Sequence, residues 1–111
     1  MPIARLTDPK TSHEAAQSVR NISATKLVIL DLLTRSFTDE DLIDRFYSRV
    51  EVGLAPLASP SGIRSRRAEL VRDGFVEAVG FAKTASGRNT LVWRATLAGR
   101  SAAMEAKAAR S

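Results

Sequence analysis

The chain has 111 residues, 44% of them hydrophobic, which supports one domain built on a single core. It has no cysteine, which excludes disulfides and thiolate metal sites; no run approaches a membrane span or a basic-then-apolar signal pattern, so a soluble intracellular protein with no membrane partner is expected. The net charge of +5 is concentrated in residues 61–100, where eight Lys or Arg face three Asp or Glu, against seven and eight in residues 1–60; such a localised basic segment is the footprint expected for nucleic acid.

In chain order, residues 1–10, with Pro2, Asp8 and Pro9, predict a flexible arm. Ser12 to Arg20 then predicts a short helix on Ala15, Ala16 and Val19, capped by Thr11 or Ser12. Ala24 to Arg35 predicts a mostly buried helix, with Leu27, Leu30 and Leu33 on one side and Val28 and Leu32 beside them. Ser36-Phe37 breaks it. Thr38 opens the next helix with Asp41 three residues on, a capping box using Asp for Glu, and Leu42, Ile43, Phe46, Tyr47 and Val50 recur at helical spacing. Residues 51–58, with Gly53 and Pro56, read as a loop.

Residues 59–74 combine a helix start, an arginine cluster, an apolar seam and a helix stop. Ser59 can cap the free amides, Pro60 suits the first helical position, and Gly74 after Asp73 supplies the left-handed stop. On a helical wheel Ile63, Arg67, Leu70 and Val71 share one side, while Ser61, Ser65, Ala68 and Arg72 point the opposite way. Small residues at the outward N-terminal end, Ser61, Gly62 and Ser65, permit close approach to a surface. Arg64 and Arg66 flank that strip and are shaped for bidentate contact with guanine edges or phosphates. The alternative is an amphipathic surface helix whose arginines are only solvated.

After Gly74 the period changes to about two. Residues 75–83 and 90–95 predict strands joined by a turn over 85–89, with Lys83, Arg88 and Arg94 spreading charge along the hairpin and Ser86, Asn89 and Thr90 adding hydrogen-bonding groups. From Thr96 an Ala-rich stretch predicts a final helix over residues 97–111, offering Leu97, Ala103 and Met104 for modest apolar contact. The expected organisation is an arm (1–10), a main domain (11–96) and the C-terminal helix (97–111).

The order helix, helix, basic helix, basic hairpin resembles the winged helix-turn-helix family. The stretch from Ile63-Arg64-Ser65-Arg66-Arg67 through Leu70, Asp73-Gly74 and Phe75-Val76 is similar to the recognition helix and first wing strand of MarR-type regulators. Thr96-Leu97-Ala98-Gly99-Arg100 is similar to the Thr-x-x-Gly-Arg opening of their last helix. Asp8-Pro9-Lys10-Thr11-Ser12-His13-Glu14-Ala15-Ala16 resembles a segment of small DNA-binding proteins from actinobacterial phages and prophages. The resemblance spans roughly residues 8–100. It implies an α+β, mainly α fold: a winged helix-turn-helix with a two-stranded wing and flanking N- and C-terminal helices.

The function the resemblance implies is sequence-specific binding of double-stranded DNA by a small transcriptional or phage lifecycle regulator at the nucleoid. Ser59, Ser61, Arg64, Ser65, Arg66 and Arg67 would serve the major groove, and Lys83, Arg88, Asn89 and Arg94 the flanking backbone or minor groove. Arg67 departs from the usual apolar residue of MarR-type helices, which points to an ion pair with the acidic start of the second helix, for instance Asp41 or Asp44. The longer helical arms used by that family to dimerise and bind effectors are missing, so a homodimer is open in detail and no small-molecule ligand is expected. The alternative function is a winged-helix protein-interaction adaptor binding a host transcription or replication protein.

Enzyme chemistry finds no support. His13 lacks further ligands at metal-binding spacing, and Asp39, Glu40, Asp41 and Asp44 sit where the dipole of a helix start favours acids. A nuclease would require magnesium-dependent cleavage abolished by changing Asp39 or Asp41. No cofactor, metal or catalytic set is expected.

Overall fold

The computed structural model describes residues 22–110. The expected arm, the helix over 12–20 and the Asp8 to Ala16 motif lie outside them. Among the described residues four helices and three strands follow in the order α1 (Ala24–Leu32), β1 (Phe37–Thr38), α2 (Asp39–Glu51), α3 (Pro60–Arg72), β2 (Val76–Lys83), β3 (Asn89–Ala95) and α4 (Leu97–Arg110).

The helix starts are set by hydroxyl caps. The side chains of Ser23, Thr38 and Ser59 accept from the amides of Lys26, Asp41 and Gly62, which satisfies one otherwise orphan donor at each end. The ends of α2 and α3 follow one design: Gly53 and Gly74 adopt positive φ of 77° and 83°. The next amides, of Leu54 and Phe75, reach back to the carbonyls of Arg49 and Leu70, closing the paired bonds of a Schellman turn.

The first helix stops at Leu32, three residues before the expected Arg35. Its last turn is diverted: the carbonyl of Leu33 accepts from the amide of Ala95 at 2.8 Å, which ties the helix end to the hairpin. Phe37 and Thr38 then pair with Trp93 and Val92, so the expected two-stranded wing belongs to a three-stranded antiparallel sheet of order β1-β3-β2. A two-residue strand is too short to leave a period-two signal, and its polar neighbour Ser36 reads as a break.

The centre of the core is formed by three helices. Ile29, Leu30 and Leu33, Leu42 and Phe46, and Ile63 and Leu70 are fully buried. The α2 and α3 seams follow the expected spacing, but in α1 the seam turns on Ile29, leaving Leu27, Val28 and Leu32 partly buried at its margins. Trp93, Val76 and Ala95 close one side from the sheet. Tyr47 fastens the 52–58 loop by donating its hydroxyl to the carbonyl of Ala58 at 2.6 Å.

Small residues bring α4 onto this core. Ala102, Ala103 and Ala106 are buried, whereas Leu97 and Met104, expected to make apolar contact, are exposed. Gly99 explains the shift: a Cβ there would stand 2.0 Å from the carbonyl oxygen of Phe75, so only glycine lets the helix come this close. Thr96 completes the joint, donating its hydroxyl to the carbonyl of Gly74 at 2.8 Å and accepting from the amide of Gly99 at 3.0 Å. The Thr-x-x-Gly sequence is therefore a cap and a contact point in one.

Asp31 of α1 joins two other helices, bonding Lys107 of α4 at 2.9 Å and Arg49 of α2 at 2.8 Å. The Lys107 bond, with that of Arg49, holds its carboxyl below the ordinary carboxylate value despite partial burial. A carboxylate whose folded pKa is depressed stabilises the fold above its unfolded value of 3.8, and that contribution fades as pH falls through the lower folded value. Asp31→Asn is expected to lower stability at neutral pH and to flatten the loss of stability below about pH 4. Thermal melts of both proteins between pH 3 and 7 check this; parallel curves would count against it.

Candidate nucleic-acid interface

The outward face of α3 is laid out as its wheel requires. Ser61, Ser65, Ala68 and Arg72 are spaced by four, three and four residues and are all exposed, with Arg64 exposed beside them. Arg64 makes no hydrogen bond or ion pair with any described residue, so its guanidinium is available to a ligand. Arg72 extends this stripe by a further turn; the sequence shows it on the same wheel, but it was not among the expected site residues. Ser59 is committed to its cap, accepting from Gly62 at 3.0 Å and lying 3.4 Å from the Ser61 hydroxyl.

Two of the expected arginines are engaged within the fold. Arg66 bridges to Glu69 one turn on at 2.8 Å, and Glu69 also holds Lys26 of α1 at 3.1 Å. Lys26 first, with Arg66 and Arg72 adding to it, pulls the Glu69 carboxyl below its ordinary value. Arg66 is thus half-buried at the edge of the stripe rather than free.

Arg67 lies on the opposite side and faces the core edge. Its guanidinium grips Asp39 through two bonds of 2.9 and 2.6 Å and stands 4.0 Å from the centre of the Trp93 ring. The side chains of Arg67 and Asp39 are only 14% and 21% exposed. The predicted ion pair with the start of α2 forms, but with Asp39, the first residue of that helix, instead of Asp41 or Asp44. This position removes Arg67 from the outward set and makes it a tie between α2, α3 and the sheet.

Strand parity sorts the hairpin residues. Directly paired residues share a face, so Val76 and Ala95, Ala78 and Trp93, Phe81 and Leu91, and Lys83 and Asn89 stand together on the side that meets Arg67 of α3. Lys83 donates to the Asn89 side-chain oxygen at 3.4 Å. Arg88 is exposed in the tip, where Gly87 takes a φ of 87° and Thr84 bonds the amide of Arg88. Arg94 pairs with Glu77 and lies on the other face. It therefore lies on the opposite face of the ribbon from Lys83 and Asn89.

Arg64, Ser65 and Ser61 on α3, with Lys83, Asn89 and Arg88 on the hairpin, are what remains of the expected surface, and Arg72 on α3 adds to it. Small side chains between the charges allow a polyanion to approach the helix closely, and the free guanidinium of Arg64 can make two parallel bonds to a phosphate or a guanine edge. Among the described residues no group of three or more His, Asp or Glu is placed to hold a metal ion, and no helix is long and apolar enough to cross a membrane.

No protein-family model and no curated protein matches the sequence. Solved structures do match in fold. The protein TA0346 from Thermoplasma acidophilum superposes with a TM-score of 0.63 at 21% identity, over 78% of this chain and 79% of that one. PadR of Bacillus subtilis, solved in complex with operator DNA, gives 0.60 at 21% identity over 72% of this chain; the match spans 44% of the PadR chain. The multiple antibiotic resistance repressor MarR gives 0.53 at 13% identity, over 97% of this chain and 74% of that one. The fold is the winged helix-turn-helix shared by PadR- and MarR-type structures, with α2 and α3 as the helix-turn-helix and β2-β3 as the wing.

Proposed function

We propose that this winged-helix chain binds double-stranded DNA sequence-specifically as a small transcriptional or phage lifecycle regulator, with α3 in the major groove and the wing on the flanking backbone. The observation that carries the reading is the stripe of Ser61, Ser65, Ala68 and Arg72, all exposed, with the unpaired Arg64 alongside. The PadR structure with operator DNA offers a precedent on the same fold. On this reading the protein acts at the nucleoid without a cofactor or small-molecule effector. It works as a homodimer through α4, where Leu97 and Met104 are exposed one heptad apart.

Selection of bound sites from a random duplex pool tests the reading. One enriched motif is expected, and Arg64→Ala is expected to cost about 1–3 kcal/mol of binding to it while relaxing discrimination at one position. Arg88→Ala is expected to weaken all sequences alike and to reduce the salt slope by about one unit. A pool without enrichment, or an Arg64 variant that binds like the parent, sinks the assignment.

A protein-interaction adaptor is the second reading, favoured by Val52, Leu54 and Leu57, three exposed aliphatic residues on the loop between α2 and α3. Salt separates the two. A protein partner held by that loop would survive roughly 200 mM salt, at which a complex with several phosphate contacts loses orders of magnitude in affinity.

A further inference from the structure

Phe81 on the wing is 74% exposed, while the other aromatic side chains of the described residues are buried or half-buried. It is placed there by a defect in the strand pairing. Ala78 pairs with Trp93, yet Gly80 pairs with Val92, so Val79 is an extra residue bulged out of the ladder. Without it the register would set Phe81 opposite Thr90, on the face of Arg94. With it, Phe81 pairs with Leu91, itself 36% exposed, on the same face as Trp93, Lys83 and Asn89. The bulge turns an aromatic ring toward the side of the hairpin that meets α3.

The surroundings of the pair are cationic toward the tip, where Lys83 and then Arg88 stand; toward the core stands Trp93, covered by the Asp39-paired Arg67. We propose that Phe81, backed by Leu91, is an apolar wedge that enters the minor groove of duplex DNA next to the site read by α3, unstacks a base step and bends the duplex. The inference rests on the DNA-binding reading above. Charge complementarity selects the occupant: a minor groove about 6 Å wide takes one ring between walls of deoxyribose, and its phosphate lips meet Lys83 and Arg88. Two side chains on a narrow ribbon fall far short of the roughly 1,000 Å² of a stable protein interface. Flexible pyrimidine–purine steps are the expected target, since they unstack at least cost.

The test uses the full chain and duplex DNA carrying the sequence it selects, permuted along fragments of constant length, together with a duplex that has 2-aminopurine at each flanking step. Wild type is expected to give position-dependent mobility and a rise in 2-aminopurine fluorescence at one step. Phe81→Ser is expected to abolish both and weaken binding about tenfold, with the salt slope kept. Phe81→Trp is expected to retain both. Binding without a bend by the wild type, or a bend equal to wild type in Phe81→Ser, overturns the wedge while leaving DNA binding in place. No DNA binding by the wild type overturns both readings. A change from dimer to monomer in Phe81→Ser with unaltered bending assigns the ring to a second copy and overturns it too.

Discussion

Gly99→Ala is expected to lower the stability of the protein by about 3 kcal/mol or more, a fall of roughly 12 °C in melting temperature for a domain of this size. In an isolated helix the change would help, since alanine outranks glycine by about 1 kcal/mol. Here the added Cβ would lie 2.0 Å from the Phe75 carbonyl oxygen and 2.9 Å from its carbon, both backbone atoms that cannot turn aside. The helix must therefore retreat by more than an ångström, stretching the bond from the amide of Thr96 to Phe75 at 3.0 Å and the hydroxyl bond to Gly74 at 2.8 Å. The buried alanines at 102, 103 and 106 would lift with it. Steric and hydrogen-bonding losses exceed the propensity gain. Gly80→Ala is the control: nothing lies within 4 Å of its added Cβ and its φ is ordinary, so a shift within about 0.5 kcal/mol is expected. Chemical denaturation of the three proteins decides it, and a Gly99 variant as stable as wild type would refute the close approach.

The contrast between these glycines shows what a single sequence reveals. Gly53, Gly74 and Gly87 announce themselves as turns because they follow helical or strand patterns, and all three adopt positive φ. Gly99 sits inside an Ala-rich helix, where its reason is a neighbour 24 positions earlier that no local pattern reports. The helix caps, the α2 and α3 seams and the outward stripe of α3 were legible because each depends on residues within a few turns. The short strand β1 and the bulge at Val79 were not, since each is settled by pairing with a distant segment; the Arg66–Glu69 bridge is a local pair open to the sequence, and for Arg67 the resemblance gives the ion pair with the start of α2 but not its partner, Asp39. Parity shows the same limit: Arg94 and Lys83 look alike in sequence, but one extra residue in β2 and the pairing register set which face each serves. Arg64 emerges as the strongest candidate contact for the opposite reason, having no acid one turn away to engage it.

Arg67→Ala is expected to lose about 2–3 kcal/mol of stability without changing the salt dependence of any DNA complex. The side chain makes two charge-assisted bonds to Asp39 and a close cation–π contact with Trp93, each worth about 1–3 and about 0.5–2 kcal/mol in such settings. Its partner limits the damage. Asp39 opens α2, where the helix dipole still favours an acid once the arginine is gone. Asp39→Ala should cost a similar amount, because it leaves a guanidinium only 14% exposed without its counter-charge. The two changes together should cost about 1–2 kcal/mol less than their sum, the mark of residues acting as one contact. Lysine cannot replace the arginine, since a point charge can neither grip both carboxylate oxygens nor stack flat on the indole. Denaturant midpoints for the single and double variants supply the cycle, and affinity for the selected duplex between 50 and about 300 mM salt supplies the second axis. An Arg67 variant with unchanged stability but a salt slope reduced by about one would place its guanidinium on a phosphate and return it to the outward set.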